Sequence, residues 1–378
     1  MTMKISLSLT HDCNLRCKYC YAGDKFHKTM DLDTAKKIID FAYDITPKQD
    51  SIDFSLFGGE PFLCFSLIKN IISYIESKNF PNVVTYNITT NGTIINDEII
   101  NYIRKKDIKI AISIDGPKEI HDKNRVDIHG NGTLDVVLEN IKKLSSKVGF
   151  FQVNAVYGSQ TIHQLDKTFE FFVENGIKNI HLNPDITEKW DISSFPDISQ
   201  AYERIADKYI ELYKANNEVA LNLIDNKLIL FFKGGYEEAD KCSMGQKEFG
   251  FAPSGNVYPC ERLIGDDSDE EMCMGNIHTG INPLKRCSIA QKTGNSNEEC
   301  ITCPVQNYCM NWCGCTNYNM TGYSDKVSAM LCYSEQVAIT VAKKVFNVLK
   351  EDETFLDHFL NYLKHDENLE KEVYYEKR

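Results

Sequence analysis

Cys13-Asn14-Leu15-Arg16-Cys17-Lys18-Tyr19-Cys20 gathers three thiols into eight residues. It follows directly on residues 3–10, whose alternation predicts a strand. Thiols this close together after a strand can wrap one metal centre. A cubane iron-sulfur cluster or a structural zinc takes four ligands, so three leave one metal position open to a ligand from outside the chain. A zinc knuckle or a disulfide pair is the other reading, but zinc sites more often pair Cys-x2-Cys units, and neither a second unit nor a His pair follows nearby.

Outward from this loop the chain alternates. A helix is predicted from 31–34 through 42, with Ala35, Ile38, Ile39 and Ala42 at helical spacing and Asp33 or Thr34 as its cap. A strand over 52–57 runs into Gly58-Gly59-Glu60-Pro61. Helices at 66–77, 97–105, 133–145 and 164–175 then alternate with strands at 83–89, 109–114, 150–156 and 179–183. Such alternation implies right-handed crossovers and a parallel sheet. Six units predict an α/β fold, a partial (β/α)6 TIM-like barrel with its chemistry at the C-terminal ends of the strands.

A longer helix over 197–217 and an apolar stretch over 221–232 precede Gly234-Gly235. The boundary is placed there: 1–235 as the barrel, 236–336 as a small irregular cysteine-rich domain, 337–378 as a helical tail. Helical periodicity is not evident between the boundary and Ser334; it returns over 335–348, and Phe355, Phe359, Leu360 and Leu363 extend an apolar stripe expected to pack on the body.

The chain has 378 residues, enough for one large domain and a smaller one. With neither a signal peptide nor a bilayer-spanning stretch evident, a cytoplasmic protein is expected, with no membrane partner. In that setting fourteen cysteines point to metal ligation over a disulfide framework. A formal net charge of -12 without a cluster of Lys and Arg argues against a nucleic-acid partner.

The x3, x2 cysteine spacing, with Tyr19 before the third thiol, resembles the radical S-adenosylmethionine (radical SAM) superfamily, as does Gly58-Gly59-Glu60-Pro61 after the second strand. The resemblance continues through Thr89-Thr90-Asn91-Gly92-Thr93 and Ser113-Ile114-Asp115-Gly116-Pro117. It implies that Cys13, Cys17 and Cys20 hold a 4Fe-4S cluster whose open iron chelates S-adenosylmethionine. Glu60, beside Gly59, would accept from the methionyl amino group, Ser113 would touch the ribose or methionyl part, Arg125 the carboxylate and Tyr19 the adenine, with Thr90 as a further candidate. Asp115 reads instead as a turn residue, and Cys64 as a small buried one.

Cys242-x12-Gly255-x4-Cys260, Cys300-x2-Cys303-x5-Cys309-x3-Cys313 and Cys332 form a second array. It resembles the SPASM extension of peptide-modifying radical SAM enzymes, which carries two auxiliary clusters, for three 4Fe-4S clusters in all. By that resemblance Cys300, Cys303, Cys309 and Cys332 hold the second auxiliary cluster, and Cys242, Cys260 and Cys313 the first. The sulfatase-maturating pattern has another cysteine soon after the first, where Glu248 stands here. The first auxiliary site is either capped by an unassigned thiol, of which Cys273 is preferred over Cys287 and Cys315, or open to substrate. Two zinc sites would use the same ligand types.

The implied activity is that of a peptide maturase, installing a thioether or carbon-carbon crosslink in a ribosomally made peptide. The alternative is an anaerobic sulfatase-maturating enzyme that oxidises Cys or Ser to formylglycine. Glu261, next to Cys260 where that family has a proton-accepting Asp, favours the alternative, as does a chain that starts at its first strand without a leader-binding domain; the missing cysteine favours the maturase. Expected partners are a peptide or protein substrate, a donor such as ferredoxin or flavodoxin, and a separate leader-binding protein.

Overall fold

In the computed structural model, residues 1–292, 297–357 and 359 are described. The strands β1 (Thr2–Ser8), β2 (Ser51–Phe57), β3 (Val84–Thr90), β4 (Ile108–Ser113), β5 (Gln152–Tyr157) and β6 (Asn179–Pro184) alternate with helices. These are α1 (Leu32–Ile45), α2 (Phe65–Ser77), α3 (Asp97–Lys105), α4 (Lys118–Asn124), α5 (Leu134–Ser145) and α6 (Leu165–Glu174). The chain continues through α7 (Phe195–Lys214), β7 (Ala220–Leu221), α8 (Asn222–Lys233), β8 (Glu248–Phe251) and β9 (Val257–Tyr258). Then come β10 (Gly275–Asn276), β11 (Gly280–Ile281), α9 (Pro283–Gln291), α10 (Glu298–Ile301), α11 (Gly314–Thr321) and α12 (Ala329–Leu349).

One nine-stranded sheet runs in the order β7-β6-β5-β4-β3-β2-β1-β8-β9. All neighbours are parallel except β8 and β9. This is the expected α/β partial barrel followed by a cysteine-rich region and a long helix. The sheet does not stop at Gly234-Gly235, however. β8 lies parallel to β1, pairing Lys4 with Glu248 and Leu7 with Phe251.

Alternation sorts the two faces of the sheet. Ile5, Leu7, Ile52, Phe54, Ile88, Ile110 and Val153 are buried, and α1 adds Ala35, Ile38, Ile39 and Ala42 to the same core. Each such side chain contributes about 1.5–3 kcal/mol on burial. The other face is polar. The register aligns Lys4 with Asp53 and Thr85, and Ser6 with Ser55 and Asn87; further along it aligns Ser113, Asn154 and His181. Thr85 donates to Asp53 at 2.9 Å.

Four differences from the expected elements have local causes. β1 ends at Ser8; beyond it Leu9 O accepts from Met30 N and Thr10 bridges Thr29, while both residues keep a backbone bond to Phe57 or Gly59. α4 is too short to show a periodic stripe. Between the boundary and Ser334 helices α9, α10 and α11 do form, α11 ending at Gly322 with φ +78°. α12 starts at Ala329, capped by Ser328, whose hydroxyl accepts from Leu331 N at 3.1 Å. Packing of the tail on the body holds for Phe355 against Tyr213 and Phe359 against Phe232; Leu360 and Leu363 lie outside the described residues. Among the described residues no helix is long and apolar enough to cross a membrane.

α8 is held to α7 by a half-buried carboxyl. Asp225 accepts from the Tyr209 hydroxyl and Leu221 N, and burial pushes it up to about 7 against both donors. The folded chain thus binds this proton more tightly than the unfolded chain does. Its contribution is full below the ordinary carboxyl value and is lost as pH rises through about 7. Between pH of about 5 and about 8.5 the urea midpoint of the parent is expected to fall further than that of Asp225→Asn, which carries no such proton. Equal falls would assign the pH dependence elsewhere.

Candidate active site

The cysteine loop is clamped from two sides. Gly59 N donates to Thr10 O at 2.7 Å and Glu60 N to Asp12 O at 3.0 Å; Arg16 N donates to Val126 O at 2.7 Å and Lys18 N to Asn124 O at 3.0 Å. The first clamp needs glycine, because a Cβ on Gly59 would stand 2.1 Å from Asp12 O and 3.1 Å from Cys13 Cβ. Cys13 is buried, with Cys17 and Cys20 half-buried. Burial pushes the Cys13 thiol up to about 11 and raises Cys17, where Arg125 opposes it.

Glu60 is fully buried behind the loop, accepting from Phe62 N at 3.0 Å, the Thr90 hydroxyl at 2.8 Å and Asn91 N at 2.8 Å. Burial raises its carboxyl, opposed by these bonds. Thr90 is therefore engaged with Glu60. Asn91 in turn donates to the Cys13 sulfur at 3.8 Å and to Asn14 at 2.8 Å. Ser113 closes β4 on the polar face, half-buried. The Tyr19 hydroxyl donates to both Asp115 oxygens at 2.7 Å and accepts from Arg125 at 2.7 Å.

Arg125 is buried, and its Nε has no partner among the described residues. A buried guanidinium N–H left unpaired costs about 1–3 kcal/mol, so the site is built for an anionic group that Arg125 can reach. With three thiols beside it, this donor set fits a cluster and a carboxylate-bearing ligand.

Asp115, expected as a turn residue, also accepts from Val156 N at 3.1 Å and so ties Tyr19 to β5. Its own N–H donates to His121 at 3.2 Å. His121, which sequence reasoning missed, is held neutral, at about 3, mainly by burial. Cys64 is half-buried at the end of a short turn.

The second array lies on the far side of β1. The Cys242 and Cys260 thiols donate to the two oxygens of Glu248 at 3.5 and 3.3 Å. Cys313 and Cys315 sulfurs are 3.7 Å apart, and Cys315 also bonds Cys260. Cys242, Cys260 and Cys313 are thus brought together with Cys315 beside them, while the thiol of Cys273, the preferred cap if the site is capped, donates to Gly275 O at 3.4 Å. α11 makes the difference, carrying Cys315 back toward Cys260. Cys300, Cys303 and Cys309 sit around α10 and the turn after it, with Cys332 in the first turn of α12 and electrostatically coupled to Cys309. Among the described residues no three His, Cys, Asp or Glu side chains converge as ligands of a single ion would.

Glu261 connects the two regions. Its turn packs on Gly250, where a Cβ would lie 2.9 Å from Glu261 N, and its carboxylate accepts from Ser6 of β1 at 2.7 Å. Burial raises that carboxyl, Glu248 adds to the rise, and Ser6 and Arg262 oppose it. Tyr21, next to Cys20, lies within electrostatic reach of Glu261 and stacks on Phe57 at 6.0 Å.

Residues 7–172 match the family model of the radical SAM superfamily. The chain carries a radical SAM domain. It is 26% identical over 272 residues to a cysteine-type anaerobic sulfatase-maturating enzyme of Clostridium novyi, covering 68% of this chain and 72% of that one. It is 21% identical over 375 residues to the radical SAM cyclopropyl synthase TigE of Paramaledivibacter caminithermalis, 92% of this chain and 74% of that one. The solved structure of native anSMEcpe with bound AdoMet and Cp18Cys peptide shares the fold, with a TM-score of 0.78 at 20% identity over 93% of this chain and 99% of that one.

In a radical SAM domain the close approach at Gly59 has a direct consequence. Gly59→Ala is expected to fold yet lose most of the iron of the first site, because the new methyl collides with the Asp12 carbonyl and displaces Cys13. Iron per folded chain checks this; full iron would show that the loop can yield.

Proposed function

We propose that the chain is a peptide maturase that abstracts a hydrogen atom from a peptidyl residue and then oxidises the substrate, leaving a thioether or carbon-carbon crosslink. Cys13, Cys17 and Cys20 hold the catalytic 4Fe-4S cluster; Tyr19, Gly59, Glu60, Thr90, Ser113 and Arg125 surround S-adenosylmethionine. When bound, cluster and cosubstrate supply a 5'-deoxyadenosyl radical. This chain's residues position that ligand, with Arg125 offering its unpaired Nε to the carboxylate, and confine the radical against one C–H bond.

The observation that supports the chemistry common to this reading and its alternative, hydrogen abstraction followed by oxidation, is the double use of β1. The cysteine loop follows its C-terminal end, while Ser6 on the same strand holds Glu261 beside Cys260. A site for hydrogen abstraction and a proton acceptor next to an auxiliary centre thus flank one polar face. Net two-electron oxidation of a peptide needs both. Cys242, Cys260 and Cys313 form the first auxiliary site of a domain spanning 236–336, and Cys300, Cys303, Cys309 and Cys332 the second. A small donor such as ferredoxin or flavodoxin supplies electrons, and a separate protein presents the leader of the substrate.

Formylglycine formation is the second reading, favoured by the likeness to the Clostridium novyi sulfatase-maturating enzyme and by the position of Glu261. Anaerobic turnover with candidate peptides decides between them by product mass. Loss of two hydrogens supports the crosslink; loss of hydrogen sulfide with gain of oxygen supports formylglycine from cysteine.

A further inference from the structure

We propose that Glu248 is a carboxylate ligand of the first auxiliary cluster, completing a set of Cys242, Cys260 and Cys313. The proposal rests on the reading of those three thiols as cluster ligands. The Glu248 carboxylate spans two of them, Oε1 toward Cys260 at 3.3 Å and Oε2 toward Cys242 at 3.5 Å. Among the described residues it enters no ion pair and accepts from no other donor. Metal binding requires both thiols as thiolates. The carboxylate then loses both donors and faces two anions at contact distance, an arrangement tolerable only with a cation between them.

Glu248 cannot swing its backbone away. It opens β8, paired with Lys4 of β1, and two residues on Gly250 is packed against Cys260 and Glu261 at 2.9 Å from where a Cβ would stand. Carboxylate oxygen is an accepted iron ligand.

Cys315 is the rival. It is buried beside Cys260 and Cys313, but its situation on metal binding is the opposite one. The single S–H of Cys315 stays a favourable donor to one of the two thiolates beside it, so it needs no metal to remain where it is. Glu248 does need one.

The test uses the full chain with Cys13, Cys17 and Cys20 changed to Ala, so that only auxiliary centres are seen. After reconstitution and mild oxidation, adding Glu248→Ala is expected to release about one iron in four from one cluster and to give the near-isotropic paramagnetic signal of a three-iron cluster. The background variant and Cys315→Ala are expected to resist. Glu248→Cys, which supplies a thiolate, is expected to keep its iron with an altered spectrum of the reduced cluster; it decides the matter if Glu248→Ala takes up no iron. Resistance of Glu248→Ala, the three-iron signal from Cys315→Ala instead, or an unaltered Glu248→Cys spectrum overturns the proposal. A background variant that binds no iron at all ends the auxiliary-cluster reading itself, and the proposal with it.

Discussion

Replacing Cys13, Cys17 and Cys20 together by alanine is expected to abolish 5'-deoxyadenosine formation while leaving about two thirds of the iron. With three cubane clusters the parent holds about twelve irons, and the triple variant about eight. The loop that carries these thiols is fixed by backbone bonds from Gly59, Glu60, Arg16 and Lys18, none of which uses a cysteine side chain. The variant therefore keeps its fold and loses only the centre. Far-ultraviolet circular dichroism, iron content and chromatography of the nucleoside check the three parts separately. Nucleoside still formed at the parental rate would end the assignment of these thiols to the catalytic cluster.

The second large effect belongs to Glu261. Glu261→Gln keeps the shape and can still accept from Ser6, but it cannot take a proton. Deoxyadenosine formation is expected to stay near the parental rate while product falls by about a hundredfold or more, the scale of a lost general base. The split between nucleoside and product is the informative readout, because a misfolded site would lower both. Half-buried and near Glu248, the Glu261 carboxyl is raised above the ordinary range, which brings it closer to the range of a useful base. Product at the parental rate would place the base elsewhere.

The barrel was legible because its strands and helices alternate two clear periods, apolar at every second residue and then at helical spacing. β8 was not. Glu248-Phe249-Gly250-Phe251 is four residues with a glycine, and only its pairing with β1 makes it a strand. The cysteine loop was legible from spacing alone, since three thiols in eight residues leave few alternatives. Spacing could not show that Cys315, and not Cys273 or Cys287, lies beside Cys260 and Cys313, because that depends on how α11 folds back. Nor could it show that Glu261 reaches Ser6, a partner 255 residues away, or that Arg125 keeps a buried donor without a partner among the described residues. Residue type and local spacing point to chemistry; which side chains meet is decided by long-range packing.

The place of β1 between β2 and β8 also bears on how the chain is made. Residues 2–8 leave the ribosome some 240 residues ahead of one of their two neighbours, residues 248–251. Until then one flank of β1 shows open backbone donors and acceptors, which invites pairing with other nascent chains. Closing so long a loop also slows the final step. The barrel is thus completed only when the cysteine-rich region arrives, and synthesis itself orders the two: the sheet cannot be finished before the residues that lead into the second array, Cys242 among them, have been translated.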